Sequence, residues 1–145
     1  MKVEFEIVTL EWKNVNADFF NLPKTSGIYQ IYGDSPIYGQ NQLLYIGKAA
    51  NLFDRINNGH LANENSFITR QPNKSYRYAN VESELISIVE EILIIMHKPS
   101  FNSSSLINVS DATKSSYYYI QNHGERGMLH LEVSNFYFLP FPSQI

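Results

Sequence analysis

The sequence predicts a mixed α/β (α+β) fold, and three stretches carry that expectation. Residues 2–13 alternate, with Val3, Phe5, Ile7 and Thr9 set against Lys2, Glu4, Glu6 and Val8, the period of a strand with one polar edge. Leu43-Leu44-Tyr45-Ile46 is a short apolar and aromatic run that fills a sheet position, and after Gly47 the chain reaches Asn51-Leu52-Phe53-Asp54, where a helix begins. Residues 82–98, ended by Pro99, repeat at about 100° per residue and read as the strongest helix.

Composition sets the bounds. With 145 residues the chain is long enough for one domain, residues 1–145, with a real core. No run of about twenty apolar residues is present, so no membrane span is expected, and the alternating Met1–Glu6 does not read as a signal peptide. A cytoplasmic location follows as an expectation. The absence of Cys excludes disulfides and thiolate metal sites. A net charge of -3 argues against coating nucleic acid by bulk charge. It leaves room for a local basic face, because Arg55, Arg70, Lys74 and Arg77 fall in a span poor in acids while Glu82, Glu84, Glu90 and Glu91 cluster in the next.

The elements follow in order. Asp18-Phe19-Phe20-Asn21-Leu22-Pro23 reads as a loop whose aromatic pair plugs the core. Gly27–Tyr32 alternates as a second strand, and the turn formers Gly33-Asp34-Ser35-Pro36 join it in a hairpin to the strand of Tyr45. Tyr32 and Tyr38 read as hairpin packing. Gly47 makes the turn from strand to helix, where a missing side chain lets backbone or ligand approach. Asn51 caps the helix, Asp54 lies in its first turn, and Leu52 and Ile56 pack inward. Lys48 and Arg55 remain near the exposed helix amides, an arrangement that can seat a phosphate. The same junction occurs in many α/β proteins with no ligand.

Asn57-Asn58-Gly59 supplies a helix stop. Residues 61–74 read as a polar loop and Tyr76–Val81 as a third strand. In the helix of residues 82–98, Leu85, Ile88, Val89, Ile92, Leu93, Ile95 and Met96 form the core stripe, while Glu84, Ser87, Glu91 and Lys98 gather on the solvated side. Glu90 lies at the margin of the apolar face, so of the two adjacent acids it is the one that can point into a cleft. His97 reads as a packed or capping His. Tyr117–Ile120 and Met128–Val133 read as strands joined by the hairpin loop His123–Gly127, and Phe136–Phe141 as an edge or wrapping tail. No internal repeat or linker divides the chain.

Gly27-Ile28-Tyr29, then Tyr45-Ile46-Gly47, then Arg55 in the following helix, then Glu90 in a later apolar helix that runs out through Pro99 to Asn102, resembles the ordered signature of the GIY-YIG nuclease domain. The segment Tyr45–Arg55 is most similar to the N-terminal nuclease domain of the bacterial excision-repair endonuclease subunit. The resemblance covers a core of about residues 22–102, leaving residues 103–145 as a C-terminal extension. It implies a small central antiparallel sheet flanked by helices, to which the extra N- and C-terminal strands would be added. It also implies phosphodiester hydrolysis with one divalent metal, Mg²⁺ or Mn²⁺, held by Glu90. Tyr29 would be the general base or would position the attacking water, with Tyr45 its partner or alternative. Lys48 would assist them, Arg55 would contact the scissile phosphate, and Asn102 would support the site. Gly47, Asn51 and His60 join the substrate-binding candidates, His60 being weighed against an ordinary loop His. The expected substrate is DNA, with RNA left open, and a protein partner or homodimer could supply target choice. The competing function is a binding module of the same fold that grips nucleic acid or protein without cutting.

Overall fold

The computed structural model describes residues 5–15, 21–60, 72–102 and 110–139, with the side chains of residues 59 and 60 outside that description. Six strands, β1 (Phe5–Val15), β2 (Gly27–Ser35), β3 (Gly39–Ala49), β4 (Ser75–Asn80), β5 (Tyr117–Gly124) and β6 (Glu132–Ser134), form one sheet in the order β3-β2-β4-β1-β5-β6. The short helix α1 (Leu52–Asp54) runs into a π-turn over Arg55–His60. Helix α2 spans Ile86–His97, α3 spans Asp111–Lys114, and a 3₁₀ turn over Asn135–Tyr137 follows β6.

The hairpin expected from the turn formers is present: β2 and β3 pair antiparallel, with Tyr29 opposite Gly47 and Ile31 opposite Tyr45. β4 pairs antiparallel on the other side of β2, placing Tyr78 beside Tyr29. The three-stranded antiparallel centre is extended by the terminal strands. β1 pairs antiparallel with β4 through Lys13–Val15 and parallel with β5 through Phe5–Trp12, so the full sheet is mixed.

The two faces of the sheet have separate cores. On one, α2 buries Ile88, Val89, Ile92, Leu93 and Ile94 against Val8, Leu10, Trp12, Ile28, Ile46, Tyr118 and Ile120. On the other, Leu52 and Ile56 close over Val15, Leu22, Tyr29, Ile31 and Tyr76. The alternation of β1 decides its part in this. Its even residues Val8, Leu10 and Trp12 enter the first core, whereas Phe5 and Ile7 stay on the opposite face, 41% and 67% exposed. Burial of Trp12 also requires a partner for its indole N–H. Nε1 donates to Asn122 Oδ1 at 2.9 Å, and Asn122 Nδ2 donates in turn to the His130 carbonyl.

Several boundaries differ from the sequence expectation for visible reasons. The second helix starts at Ile86 rather than Glu82, because residues 83–85 make a turn closed by Leu85 N–H donating to the Glu82 carbonyl at 2.9 Å. It ends at Lys98, whose left-handed φ of 48° returns its N–H to the Ile94 carbonyl just ahead of Pro99. The first helix widens after one turn. Asn57 Nδ2 donates to the Phe53 carbonyl at 3.0 Å, occupying the acceptor that its own backbone N–H would use in an α-helix. Strand β6 is only Glu132–Ser134, since Met128 N–H is drawn to the Tyr32 hydroxyl at 2.7 Å and Gln30 Nε2 holds the Arg126 carbonyl. Arg77 is spent in the same lock, donating from Nη1 to the Glu125 carbonyl and lying 5.1 Å over the Tyr32 ring, so it adds nothing to a basic face. Tyr32 packs as expected, but Tyr38 is 65% exposed. Phe19, Phe20, Arg70 and most of the polar loop over residues 61–74 lie outside the described residues.

Candidate active site

The outer edge of β3 is where the predicted residues meet. An edge strand leaves backbone groups unpaired, and here α2 and the segment after it supply the partners. Asn102, buried, uses its amide twice: Oδ1 accepts from Ile46 N–H and Nδ2 donates to the Ile46 carbonyl, both at 2.9 Å. The Leu44 carbonyl accepts from Phe101 N–H at 2.9 Å. Two residues beyond Ile46 along the same edge, Lys48 N–H donates to the Glu90 carboxylate. The strand carrying Tyr45 and Lys48 is thereby held against the helix carrying Glu90.

Between that helix and α1 lies an open cleft of about 600 Å³, lined by Tyr45, Lys48, Asn51, Arg55, Ser83, Ser87 and Glu90 among others. Four of the five predicted catalytic residues line it. Tyr29 does not. It is fully buried behind the cleft, its ring 6.0 Å from that of Tyr45, and it meets the site through Arg55, whose Nε donates to the Tyr29 hydroxyl at 3.3 Å. Arg55 also donates to the Tyr45 hydroxyl, so one guanidinium bridges both phenols.

Two glycines make this packing possible. Gly47 sits within β3 rather than at a turn, and a Cβ there would overlap the Tyr29 hydroxyl end and crowd the Tyr45 ring. What approaches Gly47 closely is therefore Tyr29 and not a ligand. At Gly27 a Cβ would run into the Ala79 carbonyl and Leu52, which would push α1, and Arg55 after it, away from the sheet.

Asn51 caps α1 as expected, Oδ1 accepting from Asp54 N–H at 3.0 Å. The helix end itself offers little to the phosphate expected there, because an α-helix of three residues sums few peptide dipoles and its cap consumes one amide. The positive charge that the cleft does offer comes from Lys48 and Arg55. The His60 side chain lies outside the described residues.

The electrostatics separate the groups further. Burial raises the Tyr29 phenol well above its ordinary pKa, neighbouring Tyr45 adds to the rise, and Arg55 opposes it. Burial likewise lifts the Glu90 carboxyl above the usual range, against the opposing Lys48 charge and the Lys48 N–H. Among the described residues no three His, Asp or Glu gather into a cage for a metal. A single half-buried carboxylate, with one lone pair directed at Lys48 N–H and others open to the cleft, suits a hard dication that retains most of its water, as Mg²⁺ does. The donor set fits Mg²⁺ or Mn²⁺ and not a metal that needs several side-chain nitrogens.

One residue of the cleft escaped the sequence reading. Ser87, assigned to the solvated side of α2, accepts from Lys48 Nζ at 2.9 Å. Its signal was its spacing, three residues before Glu90 and hence on the same helix face. Glu91 was also placed on the solvated side, yet it is half-buried and accepts from Ser110 N–H. His97 packs between α2 and the loop before β6, with Nδ1 bonded to the Leu93 carbonyl and Nε2 accepting from His130 N–H.

Residues 25–93 match the family model of the GIY-YIG catalytic domain. No protein with a curated description matches the chain. The matched segment begins just before β2 and ends within α2, so it contains Tyr29, Tyr45, Lys48, Arg55 and Glu90, whereas β1, β5, β6 and Asn102 fall outside it. With the hairpin, the bridging arginine and the half-buried glutamate in one place, residues 25–93 are a segment of the GIY-YIG catalytic-domain type.

Proposed function

We propose that this protein is a metal-dependent endonuclease that hydrolyses phosphodiester bonds of DNA in the cleft between α1 and α2. The observation that supports the reading is the convergence of Tyr45, Lys48, Arg55 and Glu90 on one opening. A non-cutting module would use Lys48 and Arg55 to grip phosphate but has no need of a carboxylate beside them.

In this mechanism Glu90 would hold the divalent ion, and that ion would supply positive charge to offset the charge that develops during hydrolysis. Arg55, fixed between two phenols, donates to the non-bridging phosphate oxygens, where negative charge grows during attack. Tyr45, on the cleft wall with its hydroxyl held by Arg55, orients the attacking water and, as the phenolate, receives its proton, while Lys48 faces the same cleft as a second cation for the phosphate. Tyr29 acts as the buried support of Arg55. Its desolvated phenol is a poor proton acceptor at neutral pH.

The test is cleavage of supercoiled plasmid, branched DNA and RNA by the wild type with Mg²⁺, with Mn²⁺ and with chelator. Metal-dependent nicking of DNA, lost with chelator, is the expected result. Tight metal-independent binding with no cleavage of any substrate would favour the non-cutting module instead.

A further inference from the structure

We propose that Ser87 is a positioning residue that holds the Lys48 ammonium at the mouth of the cleft beside Glu90, and so fixes where the phosphate meets that cation. The inference rests on the nuclease reading above. Ser87 and Glu90 lie one turn apart on α2 and share a face. Lys48 comes from the opposite wall, β3, and is gripped twice: its backbone N–H by the Glu90 carboxylate and its Nζ by Ser87 Oγ at 2.9 Å. Both helix residues and Lys48 line the same cleft. An exposed lysine otherwise samples many rotamers, and collecting its four-carbon stem into one of them on a phosphate costs entropy. The hydroxyl does this before substrate arrives. It takes one of the three ammonium N–H groups and leaves two for phosphate oxygens.

Ser87 itself is exposed, so the core does not depend on its hydroxyl, and Ser87→Ala should fold normally. Two readouts test the tether. The first needs no substrate: the ¹⁵N–¹H signal of the Lys48 ammonium, slowed in exchange by the bond to Ser87, should be seen in the wild type and in Ser87→Thr and be lost in Ser87→Ala. The second is a double-mutant cycle on plasmid cleavage with Mg²⁺. Ser87→Ala should lower kcat about tenfold with KM within about threefold, Ser87→Thr should recover most of the rate, and Ser87→Ala should add no loss in a Lys48→Ala background. An unchanged Lys48 signal in Ser87→Ala, or an equal loss with and without Lys48, overturns the assignment. If the wild type cleaves nothing, the nuclease reading fails separately. Binding of a short DNA duplex in chelator then replaces the cycle: weakening by Ser87→Ala only when Lys48 is present keeps the tether, and no weakening rejects it.

Discussion

The two ends of the sheet carry the same residue types in opposite surroundings. At the β3 end, Tyr29 and Tyr45 share one arginine, Lys48 lies alongside, and the strand edge is occupied by Asn102, Phe101 and Glu90. At the β6 end, Phe5, Tyr117, Tyr119 and Phe136 touch one another with ring centres 5.3 to 6.5 Å apart. The Tyr119 hydroxyl there bonds to the Glu132 carboxylate, the largest cause of its raised pKa, and also to Gln121, which opposes the rise. Tyrosine therefore does not mark the site. What differs is the neighbour, because a cation favours a phenolate or a phosphate and a carboxylate opposes both. The segment matched by the family model brings the candidate site residues to one edge, and the flanking strands complete the core.

The sharpest way to break this comparison is to remove one carboxylate from each end. Glu90→Gln should lower plasmid cleavage by about a thousandfold or more while DNA binding in chelator changes little, since phosphate contacts belong to Arg55 and Lys48. Glu132→Gln should leave cleavage unchanged. The angular reading of α2 offered Glu91 as the silent neighbour, but its bond to Ser110 disqualifies it, and the exposed Glu84, in the turn just ahead of the helix, is the better control. If Glu84→Gln or Glu132→Gln matched the loss at Glu90, the division between the two ends would be wrong.

Next in size is the core under β1. Trp12→Ala removes a fully buried indole and leaves Asn122 Oδ1 without its donor, so urea denaturation should show a loss of about 3 to 5 kcal/mol. A loss under about 1 kcal/mol would mean that the added strand is dispensable.

His97 should make stability pH-dependent by a similar amount. Burial is the largest cause holding it down to about 4, against an ordinary 6.5, and the stacked His130 contributes in the same direction. A depressed histidine folds in its neutral form, so its contribution is whole above about pH 6.5 and is lost as pH falls from there through about 4. The drop should be on the order of 3 kcal/mol at most. Equilibrium unfolding between pH 7 and 4 measures it, and His97→Gln should remove that part of the slope. A smaller effect is expected for Gly47→Ala, about 1 to 3 kcal/mol from forcing Tyr29 and Tyr45 apart, with cleavage falling further than stability because Arg55 loses its seat. Smallest of all is Ile7→Ser. Its side chain is 67% exposed, so stability should move by no more than about 0.5 kcal/mol and cleavage not at all.

How much of this was legible in the sequence depends on the range of the forces involved. The β2–β3 hairpin, the Asn51 cap and the apolar stripe of α2 are local patterns found where the residues put them, whereas β1 is a strand as its alternation says but turns Val8, Leu10 and Trp12 inward and leaves Phe5 and Ile7, the expected apolar face, exposed. The strands near the two ends each carry an apolar face that a single hairpin cannot bury, which says that they pair with each other or lengthen the sheet, as they do, but not that β1 runs parallel to β5 across more than a hundred residues of chain. The widened turn after Asp54 hinges on the amide of Asn57, whose choice of acceptor is a tertiary detail. At the site, the residues bearing charge were readable from type and order. The sealing of Tyr29 behind Arg55 was not, because strand alternation says which face a side chain takes and not what covers that face. Ser87 was lost to the same limit: helix angle assigned it to solvent, and only the arrival of Lys48 from β3 gives its hydroxyl a partner.

The central claim is that chemistry resides at the β3 edge, and the most direct measurement is the line broadening that Mn²⁺ causes in the amide spectrum of the ¹⁵N-labelled protein. Substoichiometric Mn²⁺ should erase the signals of Lys48, Ser87, Glu90 and their neighbours in the wild type and leave them intact in Glu90→Gln. Broadening centred on His97 and His130 or on Glu132, or broadening at the β3 edge that survives Glu90→Gln, would contradict the account.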